Sequence, residues 1–259
     1  LASTQWQDYS EGTRASYGAT LARYMKAQGD RPLASITRDA LEAGLYERGG
    51  FAAVNDLKAL RAVFKHLHKL RIIPSNPAAG IALDKPKSEG FRTASAEDIE
   101  RFQARWPVGT LQRTAFDLAL YTGAARVDLV KLSRNNISGD LLTYRRQKTG
   151  TLSKVPITPE LRRVIAGAPD IAPAFLLNQK GKPISTDALT YMFRNACREA
   201  GMEARLHGLR KAFCVYWAEK GVSTHQLAAM AGHLSLSEVQ RYTQAVDRER
   251  MIKALVSKA

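Results

Sequence analysis

The sequence predicts a mainly α protein with a small β-hairpin or sheet, divided into two domains. Apolar residues recur at helical spacing along most of the chain, but between residues 137 and 157 the period changes to that of strands. A polar segment with Pro and Gly at 86–92 is typical of a linker. We therefore expect a helical domain over 1–85 and a second domain over 93–259.

In the first domain, residues 51–70 form the clearest predicted helix, after a shorter helix over 38–47. Its apolar residues form one stripe, which consists of Val54, Leu57, Leu60, Val63, Phe64, Leu67 and Leu70. Four cations lie off that stripe, namely Lys58, Arg61, Lys65 and Lys69. A solvated face explains each one alone, whereas together they could follow a phosphate backbone.

The second domain opens with the N-cap residue Ser95 and a predicted helix over 97–104. A more apolar helix, which we expect to be buried, follows over 111–121. Thr122 and Gly123 break this helix, and the apolar residues after them restart one.

Strands are predicted at 141–144 and 154–157, with a turn between them. Beyond them the helical period returns, and a short amphipathic helix is predicted in the tail at 247–259. The helices predicted between these two regions cover residues 160–166, 187–200, 210–220, 224–230 and 237–245.

The chain has 259 residues, a formal net charge of +15 and a pI of about 10.0. A chain this basic usually binds a polyanion, with nucleic acid as the leading candidate and a merely basic protein as the alternative. No apolar run approaches the ~20 residues of a membrane span. Cys197 and Cys214 form neither a disulfide framework nor a metal pattern, which indicates reduced, buried thiols in a cytoplasmic protein. Because the first residue is Leu rather than Met, we expect a trimmed N-terminus.

Candidate chemical groups are concentrated near the C-terminus. Tyr242 could form a covalent ester with phosphorus if its proton were accepted, since a tyrosine hydroxyl ordinarily has a pKa near 10. Arg210 and Arg126 could each bind two oxygens of a phosphoryl group. His207 and His233 could donate hydrogen bonds to these oxygens or transfer protons. Each residue alone also has a structural explanation, as a core tyrosine, a surface ion pair or a hydrogen-bonded histidine.

Lys148, beside a glycine at the predicted hairpin tip, could protonate a leaving oxygen. Lys154 is a nearby rival, and a solvated turn lysine is the alternative explanation. No metal is expected, because His207 and His233 are not accompanied by a clustered carboxylate or cysteine ligand set. The chain also lacks a glycine-rich phosphate loop and a G-x-S-x-G motif, and no cofactor is expected.

These residues lie within longer motifs, which are His207-Gly-Leu-Arg210, Ala231-Gly-His233, the downstream Tyr242, Lys148-Thr-Gly150 and Val155-Pro-Ile157. In this order the motifs resemble those of the tyrosine recombinase (phage integrase) family. The family's H-x-L-R box and its L-G-H box are both matched, the second with Ala in place of the usual Leu. The resemblance covers nearly the whole chain in outline and is motif-specific from Thr122 to Tyr242.

One position departs from the family's T-G-x-R-x-x-[ED]-L-x-x-L box. Thr122, Gly123 and Asp128 fit this frame, but the arginine position falls on Ala125, with Arg126 one residue late. On a helix one residue corresponds to a rotation of about 100°, so Arg126 would point away from the site. Three interpretations are open: a locally re-registered helix start that brings Arg126 into use, a naturally impaired protein, or a replacement of arginine by alanine. We favour the last two.

The resemblance implies a site-specific recombinase that cuts and rejoins DNA through a 3′-phosphotyrosyl link on Tyr242. Arg210, His207 and His233 would hold the phosphate oxygens, Lys148 would be the general acid, and Asp128 would organise the arginine helix. Residues 1–85 would be a core-binding domain that clamps double-stranded DNA together with the catalytic domain. The family works as a homotetramer on two duplexes, with a monomer expected when free, and the tail helix would pack on a neighbouring subunit.

Two alternatives remain at this point. A type IB topoisomerase would use the same pocket and covalent tyrosine but would religate the original strand. A DNA-binding accessory protein that has lost catalysis would explain Ala125. The sequence leaves open the DNA target and the choice among integration, excision, inversion and resolution.

Overall fold

The computed structural model describes residues 3–88 and 90–232, together with Ser237, Val239, Gln240 and Thr243. This part of the chain is mostly helical and contains a three-stranded antiparallel sheet, which confirms the predicted fold class. The chain forms two compact units, Leu1–Ser88 and Glu89–Ala259. None of the described helices is long and apolar enough to cross a membrane.

The first unit contains four described α-helices, each with an identifiable start. Ser3, Ser10 and Thr37 accept hydrogen bonds from backbone amides of the first turn, which satisfies donors that a helix start otherwise leaves unpaired. Before the last helix, Gly49 takes a positive φ of 63° that favours glycine. The helices are α1 Thr4–Gln7, α2 Glu11–Gln28, α3 Arg38–Arg48 and α4 Gly50–Lys69.

A buried carboxylate joins three of these helices. Asp56 on α4 is 3% exposed and lies 2.5 Å from Arg23 Nη2 of α2 and 3.4 Å from Arg48 Nε of α3. Thr20 of α2 donates to the same carboxylate. A buried charge requires such partners, because the loss of hydration is otherwise uncompensated. Asp56 therefore fixes how α2 and α3 pack against α4.

The apolar stripe predicted on α4 contributes three residues to this unit's core. Leu57, Leu60 and Phe64 are buried against Leu45 of α3. Leu70, which was predicted to extend the stripe, is instead 54% exposed. The reason is that α4 ends at Lys69, so Leu70 is a cap residue rather than part of the buried face.

The second unit contains seven described α-helices. α6 lies at its centre and packs against α8, α9 and α10. Ser95 is the N-cap of the first of these helices, as its sequence predicted, and it also forms a capping box with Asp98. They are α5 Ala96–Arg105, α6 Leu111–Thr122, α7 Arg126–Leu129, α8 Pro159–Gly167, α9 Thr186–Glu199, α10 Leu206–Glu219 and α11 Thr224–Ala231.

The predicted start of α10 at residue 210 is wrong, because the helix begins at Leu206. Gly208 does not interrupt it, although glycine costs about 1 kcal/mol in a helix. A Cβ at this position would collide with the Arg92 carbonyl, and Gly208 O accepts a hydrogen bond from Ala94 N at 3.2 Å. Tertiary packing thus overrides local propensity and places His207 and Arg210 on one helix.

The sheet consists of β1 Ile137–Ser138, β2 Leu141–Arg145 and β3 Leu152–Pro156, in the order β1-β2-β3. All pairs are antiparallel, and the β2–β3 register aligns Leu142 with Val155. Alternate residues Leu142, Tyr144 and Arg146 are buried, whereas Leu141 and Arg145 are exposed. The buried face continues one residue beyond the end of β2, to Arg146.

An aromatic stack occupies the centre of the second unit. The ring of Phe116 on α6 lies 4.2 Å from that of Phe102 on α5, and Phe193 on α9 completes the stack. All three side chains are at most 2% exposed. The stack joins three helices around α6, which carries one of the carbonyls at the candidate site.

We predict that Phe116→Ala lowers the free energy of unfolding by about 3–5 kcal/mol, because it leaves a cavity in this stack. Urea unfolding followed by circular dichroism measures the change. Tyr191→Ala is the control, since this aromatic residue on α9 is 64% exposed and its loss should change the free energy by less than about 1 kcal/mol. Equal effects of the two substitutions would contradict the assignment of Phe116 to the core.

Candidate active site

The guanidinium of Arg210 lies where three helices meet. The residue is 3% exposed, and it donates from Nη1 to Gly123 O and from Nη2 to Ala231 O, the latter at 2.7 Å. These carbonyls stand at the C-terminal ends of α6 and α11, where helices leave acceptors without intrahelical partners. Arg210 satisfies both and is thereby fixed in one orientation.

Thr122 and Gly123 shape the end of α6 for this contact. Thr122 Oγ1 donates to Leu118 O at 2.5 Å and accepts from Ala124 N at 3.1 Å. Gly123 has a φ of 61°, and a Cβ there would lie 2.5 Å from Cδ1 of Phe213. Glycine therefore permits both the left-handed turn and the close approach of α10.

His207 lies one turn before Arg210 on the same face of α10, since residues three apart are neighbours on a helix. It is partly buried, and its ring centroid is 4.8 Å from that of Phe91. The segment that contains Phe91 is also held by Lys211, whose Nζ donates to Phe91 O. His207 is thus placed by α10 on one side and by this segment on the other.

Asp128 connects α7 to the hairpin turn. It is 2% exposed, which excludes the exposed helical acid that is the simplest alternative for this residue. Its Oδ1 accepts from Gln147 N at 2.8 Å, and Lys131 Nζ donates to Gln147 Oε1 at 2.6 Å. The residue that precedes Lys148 is therefore anchored, while Lys148 itself is exposed.

Arg146 is a buried cation that was not predicted as a site residue from the sequence. It is 8% exposed, Nη1 donates to Gly232 O at 2.8 Å, and Nε is 3.7 Å from Asp128 Oδ2. Gly232 has a φ of 62°, and a Cβ there would lie 2.5 Å from Arg146 Cδ. The signal that could have found it is the alternation of Leu142, Tyr144 and Arg146 on one side of β2.

Tyr144 lies among these charged groups. Burial raises the pKa of its hydroxyl, and the positive charges of Arg210 and Arg146 lower that pKa in part, whereas Asp128 raises it further. Arg210, Arg146 and Asp128 are buried like Tyr144 itself. Ser153, which follows Leu152 on β3, donates to Met230 O and fixes β3 against α11.

The structure places Ala125 at the start of α7 and Arg126 on its exposed side. Ala125 is the N-cap, and the helix begins at Arg126. Arg126 is exposed, and its Nη1 donates to Thr190 Oγ1 of α9 at 2.9 Å. This contact directs Arg126 to the surface of α9 and gives no support to a re-registered helix start that would bring it to Arg210.

Several predicted features lie outside the described residues, namely His233, Tyr242 and the tail helix at 247–259. The structure describes α11 and its cap Gly232, which directly precedes His233. Within the described part of the chain, no group of three or more His, Cys, Asp or Glu side chains could hold a metal ion.

The four predicted DNA-contacting cations belong to the first unit. They recur every three or four residues along α4, so they share one face, and all four are exposed. Arg61 differs from the others, because its guanidinium donates to Ala78 O at 3.3 Å and to Ile81 O. It holds the segment after α4 in place, whereas the ammonium groups of Lys65 and Lys69 have no such backbone contact in the described part of the chain.

Comparison with known proteins gives consistent matches. Residues 91–249 match the model of the Phage integrase family. The tyrosine recombinase XerC of Leptospira interrogans serogroup Icterohaemorrhagiae serovar copenhageni is 28% identical over 222 residues, which cover 78% of this chain and 70% of that protein. A lambda integrase dimer bound to a COC′ core site has a similar fold, with a TM-score of 0.78 and 21% identity over 91% of this chain and 72% of that one. A lambda integrase tetramer bound to a Holliday junction also has a similar fold, with a TM-score of 0.76 and 22% identity over 92% of this chain and 76% of that one.

We predict that Gly123→Ala lowers the free energy of unfolding by about 2–4 kcal/mol. The positive φ costs about 1–2 kcal/mol, and the collision with Phe213 adds a term for overpacking. Gly139→Ala is a matched control, because Gly139 has a φ of 57° with nothing within 4 Å of its Cβ position. Urea unfolding should therefore show the backbone cost alone for Gly139→Ala. Identical losses would show that close packing at Gly123 is unimportant.

Proposed function

Because the chain belongs to the phage integrase family, we propose that it is a site-specific DNA recombinase that works through a 3′-phosphotyrosyl intermediate. The observation that carries this proposal is the buried Arg210, which is held in one orientation at the meeting point of α6, α10 and α11. The family match over 91–249 includes Tyr242 as well as Arg210. A fixed, buried cation is suited to stabilise the negative charge that develops in phosphoryl transfer.

In the proposed reaction the Tyr242 oxygen attacks a DNA phosphorus and forms an O–P bond, while the bond to the 5′-oxygen breaks. The tyrosine proton leaves to a base, and Lys148 protonates the departing 5′-oxygen. A 5′-hydroxyl of the partner strand then attacks the phosphotyrosine and releases Tyr242. The phosphodiester energy is kept in the covalent link, so the cycle needs no external energy source.

The surroundings of Arg210 support its role as the phosphate clamp. Negative charge develops on the non-bridging oxygens during the transfer, and a guanidinium can bind two of them. Because the site is buried, each such contact is stronger than in water, and the carbonyls of Gly123 and Ala231 fix the guanidinium before substrate arrives. His207, on the same helix face, would donate to the same oxygens, as would His233.

The hairpin supports Lys148 as the general acid. Its neighbour Gln147 is bound through the backbone to Asp128, so Lys148 extends from an anchored position. Lys154 is exposed on β3 and lacks this anchor. Because the backbone before Lys148 is anchored, its flexible side chain can reach a leaving oxygen without a movement of the turn.

The charge of the chain supports double-stranded DNA as the partner. The net charge is +15, and α4 presents an exposed basic face in the first unit. We assign the first unit as the core-binding domain and the second as the catalytic domain. The solved lambda integrase assemblies are a dimer and a tetramer on DNA, and a homotetramer on two duplexes is proposed here. In that assembly the tail at 247–259 would contact a neighbouring subunit.

A catalytically inactive DNA-binding accessory protein is the second candidate, and Ala125 is the observation that favours it. Loss of one charge-stabilising group typically lowers the rate of such a reaction by about 10²–10³-fold. The two candidates differ in whether the unmodified chain forms a covalent bond to DNA.

Covalent bond formation tests the proposal directly. A nicked duplex library with a randomised core is incubated with the chain, and detergent-stable protein–DNA adducts are isolated and sequenced. We expect the unmodified chain to yield adducts on a defined sequence and Tyr242→Phe to yield none, because the nucleophile is removed. If only the Ala125→Arg variant forms adducts, the unmodified chain is an impaired recombinase. If neither the unmodified chain nor Ala125→Arg forms adducts, the recombinase function is excluded.

The basic face of α4 is tested by the salt dependence of DNA binding. Lys65→Ala and Lys69→Ala should each reduce the slope of log K against log[salt] by about 1, as expected for one lost phosphate contact. Arg61→Ala should leave the slope nearly unchanged but lower stability by about 1–3 kcal/mol, because its guanidinium binds backbone carbonyls. Fluorescence anisotropy on a random-sequence duplex measures the slope. An unchanged slope for both lysine variants would exclude this face from the interface.

A further inference from the structure

We propose that Arg146 binds the scissile phosphate and supplies the positive charge that the arginine position at Ala125 does not. This inference rests on the proposed recombinase function and adds a catalytic residue to its site. It assigns the unmodified chain as an active enzyme whose second clamp arginine comes from the hairpin rather than from α7.

The position of Arg146 is set by the strand that precedes it. Alternate residues of β2 are buried, namely Leu142 and Tyr144, and Arg146 is the next buried residue in this alternation. The arginine is 8% exposed. Burial of a guanidinium costs free energy of hydration, which only ion pairs and hydrogen bonds can offset. Its neighbour Arg145 has the same chemistry but is exposed.

The partners of Arg146 do not saturate its guanidinium. Nη1 donates to Gly232 O, but Nε lies 3.7 Å from Asp128 Oδ2, too far for a hydrogen bond. Both of these buried atoms, Nε and Oδ2, lack a hydrogen-bond partner in the described part of the chain. A charge-assisted hydrogen bond between arginine and carboxylate is about 2.7–2.9 Å long, so Asp128 takes up none of the guanidinium N–H groups. In the described part of the chain the guanidinium makes its one hydrogen bond through Nη1, so the charge is held in place and N–H donors remain for an anion.

Arg146 and Arg210 converge on the same turn. Arg210 donates to Ala231 O and Arg146 to Gly232 O, which are consecutive peptide groups whose Cα atoms are about 3.8 Å apart. The next residue is His233, the third predicted phosphate ligand. Two guanidiniums on adjacent carbonyls form a site suited to the non-bridging oxygens of one phosphate.

Arg146 also lies beside the helix that carries the empty arginine position. Asp128 is its ion-pair partner, and Asp128 N donates to Ala125 O at 2.8 Å within the first turn of α7. A side chain from position 125 would thus begin one helical turn from the carboxylate that Arg146 approaches. The empty arginine position and Arg146 are therefore both connected to Asp128, the first through the backbone of α7 and the second through an ion pair.

The test uses the duplex recovered by the covalent selection and measures the rate of adduct formation. Arg146→Ala should lower this rate by about 10²–10³-fold. Arg145→Ala, a matched control whose guanidinium donates to Gly150 O at 2.6 Å on the exposed side, should remain within about 3-fold of the unmodified chain, as expected for a surface residue. Circular dichroism checks that both variants are folded.

A neutral substrate separates charge stabilisation from support of the fold. With a methylphosphonate in place of the scissile phosphate, one non-bridging oxygen and its charge are gone, so the deficit of Arg146→Ala should shrink by about tenfold or more. Ala125→Arg in the Arg146→Ala background should recover part of the rate on the normal phosphate. A deficit of equal size on both substrates would mean that Arg146 only supports Gly232.

Failure of this inference is distinguishable from failure of the proposed function. If the unmodified chain forms no adduct while Ala125→Arg does, the recombinase assignment stands and Arg146 does not replace the arginine. If Arg146→Ala reacts as fast as Arg145→Ala, Arg146 is likewise excluded while the function stands. If no version forms a Tyr242-dependent adduct, the proposed function falls and this inference falls with it.

Discussion

The contact of Arg210 with the ends of two helices is the interaction on which the second unit depends. Hydrogen bonds that involve a charged group contribute about 1.5–3 kcal/mol each, and these two join α6 and α11 through α10. Without the guanidinium, the carbonyls of Gly123 and Ala231 would lose their charged hydrogen-bond donor, which would destabilise the contact between these helix ends. The same contact fixes the charge at the candidate site, so stability and chemistry rest on one side chain.

Features that depend on local sequence were predictable. The helix over α6 and the break at Thr122 and Gly123 follow from apolar period and backbone freedom, which are properties of a few consecutive residues. The N-cap at Ser95 and the pairing of β2 with β3 follow in the same way. Arg210 was predictable as a candidate because its motif is contiguous, although its carbonyl partners were not.

Features that depend on distant contacts were not predictable. The alternation along β2 indicates that Arg146 rather than Arg145 is buried, but its partner Gly232 O lies 86 residues further along the chain. The early start of α10 depends on the close approach of the Arg92 carbonyl to Gly208. Likewise, Arg61 has the same spacing as its lysine neighbours, but the segment after α4 supplies it with carbonyl acceptors. In each case the deciding partner is far away in the chain.

A phosphate clamp requires a positive charge at the correct position, whichever helix or strand carries it. On the proposed assignment, Asp128 allows Arg146 of the hairpin to replace an arginine on α7. Its Oδ1 binds the backbone of Gln147, and its Oδ2 faces Arg146. One carboxylate thus positions both the side chain of Arg146 and the backbone before Lys148, and these two residues are two positions apart in the same hairpin. With an arginine on α7 the clamp and the general acid would belong to separate elements, whereas here any movement of the hairpin displaces both together.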